Sequence, residues 1–510
     1  MLITSLPGLP SRPVVRSATR PTSSGPKDQL ELGAAQRERD MAVTLKAYQI
    51  LSGNRVKVVD PAGAEHTFTT PSRCDGAQDS RLDYGGKQWL WDSAAHVMNL
   101  AWTEPEVAQS ELRAVFANQN RDPASKDLGF VPHMNYFHGD GSRVPTWAQP
   151  HYQRFLDSPD GRRLVPESER AEFCQGYWSS PVHSDITQPP ILAMAALELQ
   201  AATDDQAFLG EMLPKLSAYY DYLHDRRADE DGLVRIIHPW ESGWDNSQRW
   251  DETIGLGRPE APIERSQIDV RKMGLFCKYK ALDWDLDKIF ESGDFAVKPV
   301  DFNALYAKNL ECLARLYQAA DQPDRADHYQ QRADEVKAAI FEKMWDGDKY
   351  CDLIGERKSP VKSAAMFYPM LLEGEPHGTS LIANHLLNPG EFNPPDGYSV
   401  PTTSLDDPSV PTQMLENPND HYWRGNIWVI VNFFTRCGLE QHLKSNPDNV
   451  LARAMSEKIR SSTFEALDRA DFYEYFHPLA EPGQNPQGFG VPSFGWNGLA
   501  TFMNKKPAFL

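Results

Sequence analysis

The chain has 510 residues, 40% of them hydrophobic and 11% aromatic, so it can bury a large core in one big domain or in several average ones. Its formal net charge of −19, from 71 acidic and 52 basic residues, argues against nucleic acid or an anionic membrane surface as a partner. No stretch approaches the roughly 18 consecutive apolar residues of a membrane span.

Residues 1–33 are predicted to be a disordered or targeting-like tail. Residues 1–26 are rich in Ser, Thr, Pro and Arg and contain no acid, which fits an organellar transit peptide and equally a disordered tail. The six cysteines form no Cys-x-x-Cys pair, which indicates buried free thiols in a reducing compartment. We therefore expect an intracellular, cytoplasmic protein, with an organellar location as the alternative.

From about residue 34 onward, apolar residues recur at spacings of three and four, the pattern of amphipathic helices. This pattern predicts helices at 36–51, 92–101, 104–119, 189–202, 206–225, 268–289, 302–320, 323–344, 361–373, 378–387, 425–439, 448–467 and 494–504. Residues 55–69 predict a β-hairpin, and 233–238 and 348–354 predict small strands.

About a dozen helices in successive pairs favour an all-α toroid of inner and outer helices, as a single domain over 34–510. Two long polar stretches, 138–185 and 388–421, interrupt the pattern and are predicted to be inserts.

Acids stand among aromatic residues in three segments, 240–247, 422–428 and 472–478. A carboxylate in such a setting either has a raised pKa or hydrogen-bonds a ligand that the rings also stack on. A sugar meets both demands, because its hydroxyls bond to acids while its C–H faces lie on aromatic rings. The first hypothesis is therefore a glycoside hydrolase that acts on a small-molecule glycoside.

Asp245 and Glu474 are the candidate catalytic pair. Asp245, flanked by tryptophans that can raise its pKa, is predicted to be the general acid, and Glu474 the general base of an inverting reaction. As alternatives, Asp245 caps the next helix and Glu474 is a strand-edge residue paired with a lysine or arginine. Asp92 follows Trp89 and Trp91 and could bind two sugar hydroxyls, or it could be a helix N-cap.

Motifs for other chemistries are lacking. The sequence has no phosphate-binding glycine loop, no Gly-x-Ser-x-Gly and no His-Glu-x-x-His, and the acids around 225–232 lack the spacing of a calcium loop. No cofactor and no metal are expected.

Five motifs together resemble the family 63 glycoside hydrolases. They are Trp-Asp-Ser at 91–93, Thr-Gln-Pro-Pro at 187–190, Glu-Ser-Gly-Trp-Asp-Asn-Ser at 241–247, Tyr-Trp-Arg-Gly-x-x-Trp at 422–428 and Glu-Tyr-Phe-x-Pro at 474–478. The resemblance covers about residues 80–505 and implies an (α/α)6 barrel that inverts α-linked sugars. Without a large N-terminal domain, the chain looks most like the small hydrolases of mannosylglycerate and glucosylglycerate.

The resemblance also implies roles for particular residues. It places the general acid at Asp245 and the general base at Glu474. Further residues would bind the substrate, with Arg265 as the candidate that holds the glycerate carboxylate: Tyr84, Trp89, Asp92, Tyr136, Gln188, Arg265, Tyr422, Trp423 and Trp428. A tyrosine is expected six residues after this arginine, but the sequence has Arg271 there.

The sequence leaves other functions open. An α-glucosidase or trehalase-like hydrolase would share the Glu-Ser-Gly-Trp-Asp pattern, a non-catalytic sugar-binding protein could keep the cleft, and an isomerase would use histidines as acid and base. Mannose or glucose preference and the presence of a homo-oligomer are also open.

Overall fold

Helices form most of the structure, a computed structural model that describes residues 26–73, 84–139, 141, 143–258, 263–395, 397–410, 421–479 and 486–510. The α-helices are Pro26–Gly53, Leu90–Leu100, Pro105–Val115, Gln149–Leu156, Pro159–Leu164, Arg170–Phe173, Leu192–Thr203, Gln206–Tyr222, Arg265–Ala281, Leu286–Ser292, Val300–Ala319, Pro323–Lys343, Gly378–Leu381, Val429–Ser445 and Val450–Ala470. Short 3-10 helices span Pro239–Ser242, Gln248–Trp250, Ala364–Leu371 and Gly495–Asn504, and π-helical turns span Leu223–Arg227 and Ile382–Leu386.

The strands are short and peripheral to the helices. The predicted hairpin is present as Arg55–Val59 paired antiparallel with Glu65–Thr69. The other strands have two residues each and form small antiparallel ladders: Gln88–Trp89 with Met134–Asn135, Val297–Lys298 with Leu353–Ile354 and then Arg357–Lys358, and Tyr475–Phe476 with Gly488–Phe489. These ladders hold loops in place rather than form a layer of the fold.

The chain divides into two units, Met1–Met41 and Ala42–Leu510. In the first unit, the described residues 26–41 are helical, and they include the last eight residues of the predicted tail. The second unit contains the rest of the fold and all the predicted site residues.

Six segments of the second unit pack in a closed ring. Each packs on the next, and the last packs on the first, in the order Leu90–Leu100, Leu192–Thr203, Val300–Ala319, Ala364–Leu371, Val429–Ser445 and Gly495–Asn504. All eleven residues of Leu90–Leu100 are buried, and so are all eight of Ala364–Leu371. A helix that is apolar on every side belongs in an interior.

The helices outside this ring are amphipathic. Pro323–Lys343 packs on Val300–Ala319 and buries six of its 21 residues. Pro105–Val115 packs on Leu90–Leu100 in the same way, and Val450–Ala470 on Val429–Ser445. An inner ring of six segments with an outer layer confirms the predicted (α/α)6 toroid.

Several predicted elements differ from the structure. The helix predicted at 268–289 is two helices, because Asp283 and Trp284 between them have left-handed backbone with φ of 55°. The segments predicted as α-helices at 361–373 and 494–504 are 3-10 helices. No strand forms over 233–238, where Val234 and Ile236 make only isolated bridges. The insert at 138–185 contains three short helices, and part of the second insert, residues 411–420, lies outside the described residues.

No helix among the described residues is long and apolar enough to cross a membrane. Five cysteines are free thiols, and Cys174 is half-buried whereas Cys277, Cys312, Cys351 and Cys437 are buried. Cys74 lies outside the described residues.

Candidate active site

The candidate residues gather where connections lead into the N-termini of ring segments. Asp92 lies in the first turn of Leu90–Leu100, and Gln188 precedes Leu192–Thr203. Tyr422 precedes Val429–Ser445, and Glu474 precedes Gly495–Asn504. Contacts join these connections in pairs: Tyr422 donates to Glu474 at 2.7 Å, and the amide of Trp91, next to Asp92, donates to Gln188 at 3.3 Å.

Asp245 lies on a turn between two 3-10 helices and is half-buried. Its carboxyl group makes no hydrogen bond to any described residue. Burial raises the pKa of Asp245 to about 7, and the charge of Glu474 raises it further against the opposing effect of Lys272 and Arg265. The cap of the next helix is the hydroxyl of Ser247, so the alternative role of Asp245 as that cap is wrong.

Glu474 is 1% exposed and is bound by three donors. The hydroxyls of Tyr422 and Tyr84 donate to its Oε1 at 2.7 and 3.0 Å, and the amide of Val491 donates to Oε2 at 3.3 Å. Burial raises the pKa of Glu474, whereas these hydrogen bonds oppose the rise. None of these partners is a lysine or arginine, so Glu474 is not the strand-edge ion pair of the alternative interpretation.

The two tyrosines are fixed as hydrogen-bond donors. Burial and the nearby charge of Glu474 raise the pKa of both Tyr84 and Tyr422, so their hydroxyls stay protonated. Two donors on one oxygen favour the ionised carboxylate over the acid. Glu474 therefore has donors that favour its ionised form, in contrast to Asp245, which has no hydrogen-bond donor among the described residues.

Gly490 allows the chain to pass close to Glu474. Its φ is +78°, and a Cβ atom built there would collide with Oε2 and lie 2.8 Å from the Cβ of Glu474. A side chain is therefore excluded both by the backbone conformation and by space. This close approach fixes the orientation of the Glu474 carboxylate, together with the amide of Val491.

Asp92 is buried at 3% exposure, and its Oδ1 has no hydrogen-bond partner among the described residues. Burial raises the pKa of Asp92 to about 7; the charge of His96 opposes this rise and that of Glu474 adds to it. The helix begins at Leu90 after Trp89, so Asp92 lies inside the first turn and is not its N-cap. A buried carboxyl oxygen without a donor is suited to a ligand hydroxyl.

Three further candidates lie around this centre in different settings. Trp89 is half-buried, with its ring edge-on to Tyr84 at 5.0 Å. Gln188 is buried and its side-chain oxygen accepts from the amide of Trp91 at 3.3 Å. Tyr136 is 7% exposed, and its hydroxyl accepts from the indole N–H of Trp178 at 3.0 Å.

Arg265 is the first residue of helix Arg265–Ala281 and lies over the ring of Tyr422, 4.9 Å from its centroid. It pairs with Asp269 at 3.6 Å, and Lys272 pairs with the same carboxylate at 2.9 Å. Arg271, at the position where a tyrosine was expected, is exposed. The arginine therefore lies beside both catalytic candidates, with a second cation on the same helix.

Trp423 and Trp428 are stacked in parallel, with ring centroids 3.6 Å apart and 1% and 0% of their surface exposed. The indole N–H of Trp428 donates to the carbonyl of Tyr422 at 3.2 Å. Their burial disfavours direct contact with a leaving group and makes them a support for Tyr422. Contact with the substrate remains a prediction for these two residues.

Lys272, Asp269 and Glu241 were missed by the sequence interpretation. Glu241 accepts from the amides of Thr187 and Ile237 at 3.1 and 2.6 Å and pairs with buried Arg227, so it ties two site loops together. Because Glu241 belongs to the Glu-Ser-Gly-Trp-Asp motif, the sequence could have indicated that it lies near the site. Asp269 and Lys272 follow Arg265 at helical spacings of four and seven, which also could have indicated a shared face.

The arrangement can therefore supply an acid and a base to one substrate. The charge of Glu474 raises the pKa of both Asp92 and Asp245. Among the described residues, no group of three or more His, Cys, Asp or Glu side chains could hold a metal ion.

Comparisons with known proteins show the family of the chain. The family model of the mannosylglycerate hydrolase MGH1-like glycoside hydrolase domain matches residues 85–496. The chain is 29% identical to a mannosylglycerate hydrolase of Thermus thermophilus over 434 residues, which cover 79% of this chain and 91% of that protein. It is 26% identical to a glucosylglycerate hydrolase of Mycolicibacterium hassiacum, over 77% of this chain and 86% of that protein.

A solved structure of a family 63 glycoside hydrolase is similar to most of this chain. The crystal structure of a family 63 mannosylglycerate hydrolase from Thermus thermophilus, in complex with Tris and D-glycerate, is similar with a TM-score of 0.64 and 25% identity. The match covers 91% of this chain and 100% of that chain.

Proposed function

Since the chain belongs to the family of mannosylglycerate hydrolase MGH1-like glycoside hydrolases, we propose that it hydrolyses mannosylglycerate, glucosylglycerate or both to hexose and glycerate with inversion. The observation that carries this proposal is the contrast between two carboxyl groups of the candidate site. Asp245 has no hydrogen-bond partner among the described residues and a pKa near 7, whereas Glu474 is bound by two tyrosine hydroxyls.

Asp245 is the general acid in this proposal. At neutral pH a carboxyl group with a pKa near 7 is protonated in about half of the molecules, so it can donate to the glycosidic oxygen as the bond to the sugar breaks. Asp245 is only half-buried, so part of its side chain remains accessible to a leaving group.

Glu474 is the general base. Its ionised oxygen removes a proton from the water that attacks the anomeric carbon from the opposite face, which gives a product of inverted configuration. Tyr84, Tyr422 and Val491 hold the carboxylate in place, and Asp92 accepts hydrogen bonds from the sugar hydroxyls with its unpartnered Oδ1.

Arg265 supports a substrate with an acidic leaving group. Its guanidinium lies next to Tyr422 and adds positive charge near Asp245, on the side where the leaving oxygen departs. A planar guanidinium suits a carboxylate such as that of glycerate.

Proton NMR of the purified protein with α-mannosylglycerate, α-glucosylglycerate and trehalose in separate samples tests this function. We expect β-hexose signals to appear first, before mutarotation, from a glycerate glycoside and not from trehalose. Asp245→Asn in the same folded state should leave the glycoside intact. Retained α configuration would refute inversion, and cleavage of trehalose alone would refute the glycerate assignment.

A further inference from the structure

One buried carboxylate, Glu241, joins three separate stretches of the chain just upstream of Asp245. Its side chain is fully buried, and its Oε1 accepts from the amide of Thr187 at 3.1 Å while its Oε2 accepts from the amide of Ile237 at 2.6 Å. Its third partner is the guanidinium of Arg227, which is 1% exposed. A buried carboxylate bound by two amides and an arginine has little freedom to move.

Arg227 is itself fixed by its place at the end of a helix. The helix Gln206–Tyr222 continues into the π-helical turn Leu223–Arg227, a rare geometry that often occurs at functional sites. The Nε of Arg227 donates to the carbonyl of Arg235 at 3.3 Å, and the amide of Arg235 donates to the carbonyl of Arg227 at 2.9 Å. The cation that binds Glu241 is therefore held against the backbone.

The contact with Thr187 leads to the candidate sugar-binding residues. Thr187 is followed by Gln188, whose side-chain oxygen accepts from the amide of Trp91 at 3.3 Å. Trp91 is the neighbour of Asp92, whose carboxyl oxygen Oδ1 has no partner among the described residues. Glu241 is therefore connected through hydrogen bonds and short lengths of chain to the place where the sugar is proposed to bind.

The chain after Glu241 leads to Asp245, four residues further along. Between the two acids, Gly243 has a left-handed φ of +76°, and a Cβ atom built on it would come within 2.5 Å of the Trp91 ring. Directly after Asp245, the side chain of Asn246 accepts from the amide of a tryptophan, Trp423, at 3.0 Å. The turn that carries the general acid is therefore attached on both sides, and its upstream attachment is the buried glutamate.

We propose that Glu241 and Arg227 are positioning residues for Asp245. They set where the general acid stands relative to the sugar at Asp92, and neither of them is assigned a contact with the substrate. A general acid must lie within hydrogen-bond distance of the oxygen that it protonates, and a misplacement of about 1 Å can lower the rate about a hundredfold. The inference rests on the proposed function, because the two residues act through Asp245 as the acid of that reaction.

Substrates with different leaving groups separate positioning of the acid from a general structural role. The glycosidic oxygen of a glycerate glycoside must be protonated as it leaves, whereas fluoride departs from a glycosyl fluoride without a general acid. A displaced acid therefore slows hydrolysis of α-mannosylglycerate or α-glucosylglycerate and spares the matching α-glycosyl fluoride. A loss of folded protein, or damage to the sugar site, slows both substrates equally.

Glu241→Gln keeps the volume of the side chain and removes the charge that pairs with Arg227. Its kcat on the glycerate glycoside should fall about a hundredfold, while KM and the kcat on the fluoride change less than about threefold. Because breaking a buried ion pair destabilises a protein, Arg227→Lys, which keeps the charge but loses the planar fork, is the second variant. It should show the same selective loss to a smaller extent, and it decides the question if Glu241→Gln does not fold.

Glu391→Gln is the matched control. Glu391, in the second predicted insert, is also buried, at 7% exposure, and pairs with His385 at 2.7 Å and Lys362 at 2.8 Å. Its substitution should affect the glycerate glycoside and the fluoride to the same extent. Equal losses on the two substrates in the folded Glu241→Gln and Arg227→Lys proteins, or no loss on either substrate, would overturn the inference.

Asp245→Asn separates this inference from the proposed function. The variant should lose activity on the glycerate glycoside and retain it on the fluoride. If it loses both activities equally, the acid role of Asp245 and the inference both fail. If Asp245→Asn is selective but Glu241→Gln and Arg227→Lys are not, only the positioning role is refuted. A wild type that cleaves no glycerate glycoside would refute the proposed function, and the inference with it.

Discussion

Asp92→Asn should make the protein more stable at alkaline pH while it destroys activity. The substitution removes an ionisable group at nearly constant volume from a site that is 3% exposed. Its Oδ1 has no partner in the described part of the chain, so the folded protein without substrate has nothing there to compensate a buried charge.

The size of this effect follows from the pKa. Burial moves the pKa of Asp92 from 3.8 to about 7, a rise of about three units. Each unit corresponds to about 1.4 kcal/mol, so the ionised form costs about 4 kcal/mol of folding free energy above pH 7. Because the folded pKa is raised, the cost is absent below pH 4, grows between pH 4 and pH 7, and is constant at pH 8.

Thermal unfolding at two pH values measures this cost. With an unfolding entropy of about 2 cal/mol/K per residue over roughly 470 residues, 4 kcal/mol corresponds to a Tm about 4 °C higher at pH 8. At pH 4 the variant and the wild type should melt together. Activity should fall by at least about a hundredfold, because the amide no longer accepts two sugar hydroxyls as a carboxylate does.

The opposite outcome would refute the reasoning. A variant that is less stable than the wild type at pH 8 would mean that the ionised carboxylate is stabilised by the fold. Unchanged activity would mean that Asp92 does not contact the sugar. Ser93→Ala, in the same buried turn, is a control that changes no ionisable group and should show the same Tm difference at both pH values.

Three further predictions concern the catalytic centre. The plot of kcat/KM against pH should be bell-shaped, and its alkaline limb should fall as Asp245 loses its proton near pH 7. If the alkaline limb shifts to another pH in Asp245→Glu, the assignment to Asp245 is supported. If that limb is unchanged in the variant, the assignment is contradicted. Gly490→Ala should lower kcat by about a hundredfold or more because its Cβ would displace Glu474, and full activity in this variant would show that the close approach is not needed. Arg265→Ala should raise KM for a glycerate glycoside about tenfold or more but leave a neutral aryl glycoside unaffected, and equal effects on both would remove its role in binding glycerate.

The amphipathic helices and the aromatic surroundings of Asp245 and Glu474 could be predicted because both leave a local signal. Outer helices such as Pro323–Lys343 need one apolar face, and spacings of three and four reveal it. Asp245 and Glu474 lie in short motifs in which acid and aromatic residues are neighbours in sequence. The apolar spacing of the outer helices and the aromatic neighbours of the two acids can therefore be read from a few consecutive residues.

Features that depend on distant packing could not be predicted. Ala364–Leu371 is apolar throughout, so it has no helical period that would distinguish an α-helix from the 3-10 helix observed. The left-handed backbone at Asp283 and Trp284, which divides a predicted helix, has no glycine to mark it. The packing of Gln149–Leu156 on Arg265–Ala281 joins two segments that are more than a hundred residues apart in sequence.

The packed indoles behind Tyr422 also give the protein a built-in optical probe. Five tryptophans are joined by ring contacts, with centroids between 3.6 and 6.2 Å apart: Trp91, Trp244, Trp423, Trp428 and Trp496. Near-ultraviolet circular dichroism depends on such fixed packing of aromatic rings. Because Trp428 also donates to the carbonyl of Tyr422, whose hydroxyl bonds to Glu474, the packing around Glu474 can be followed spectroscopically in the unlabelled protein, before any substrate is added.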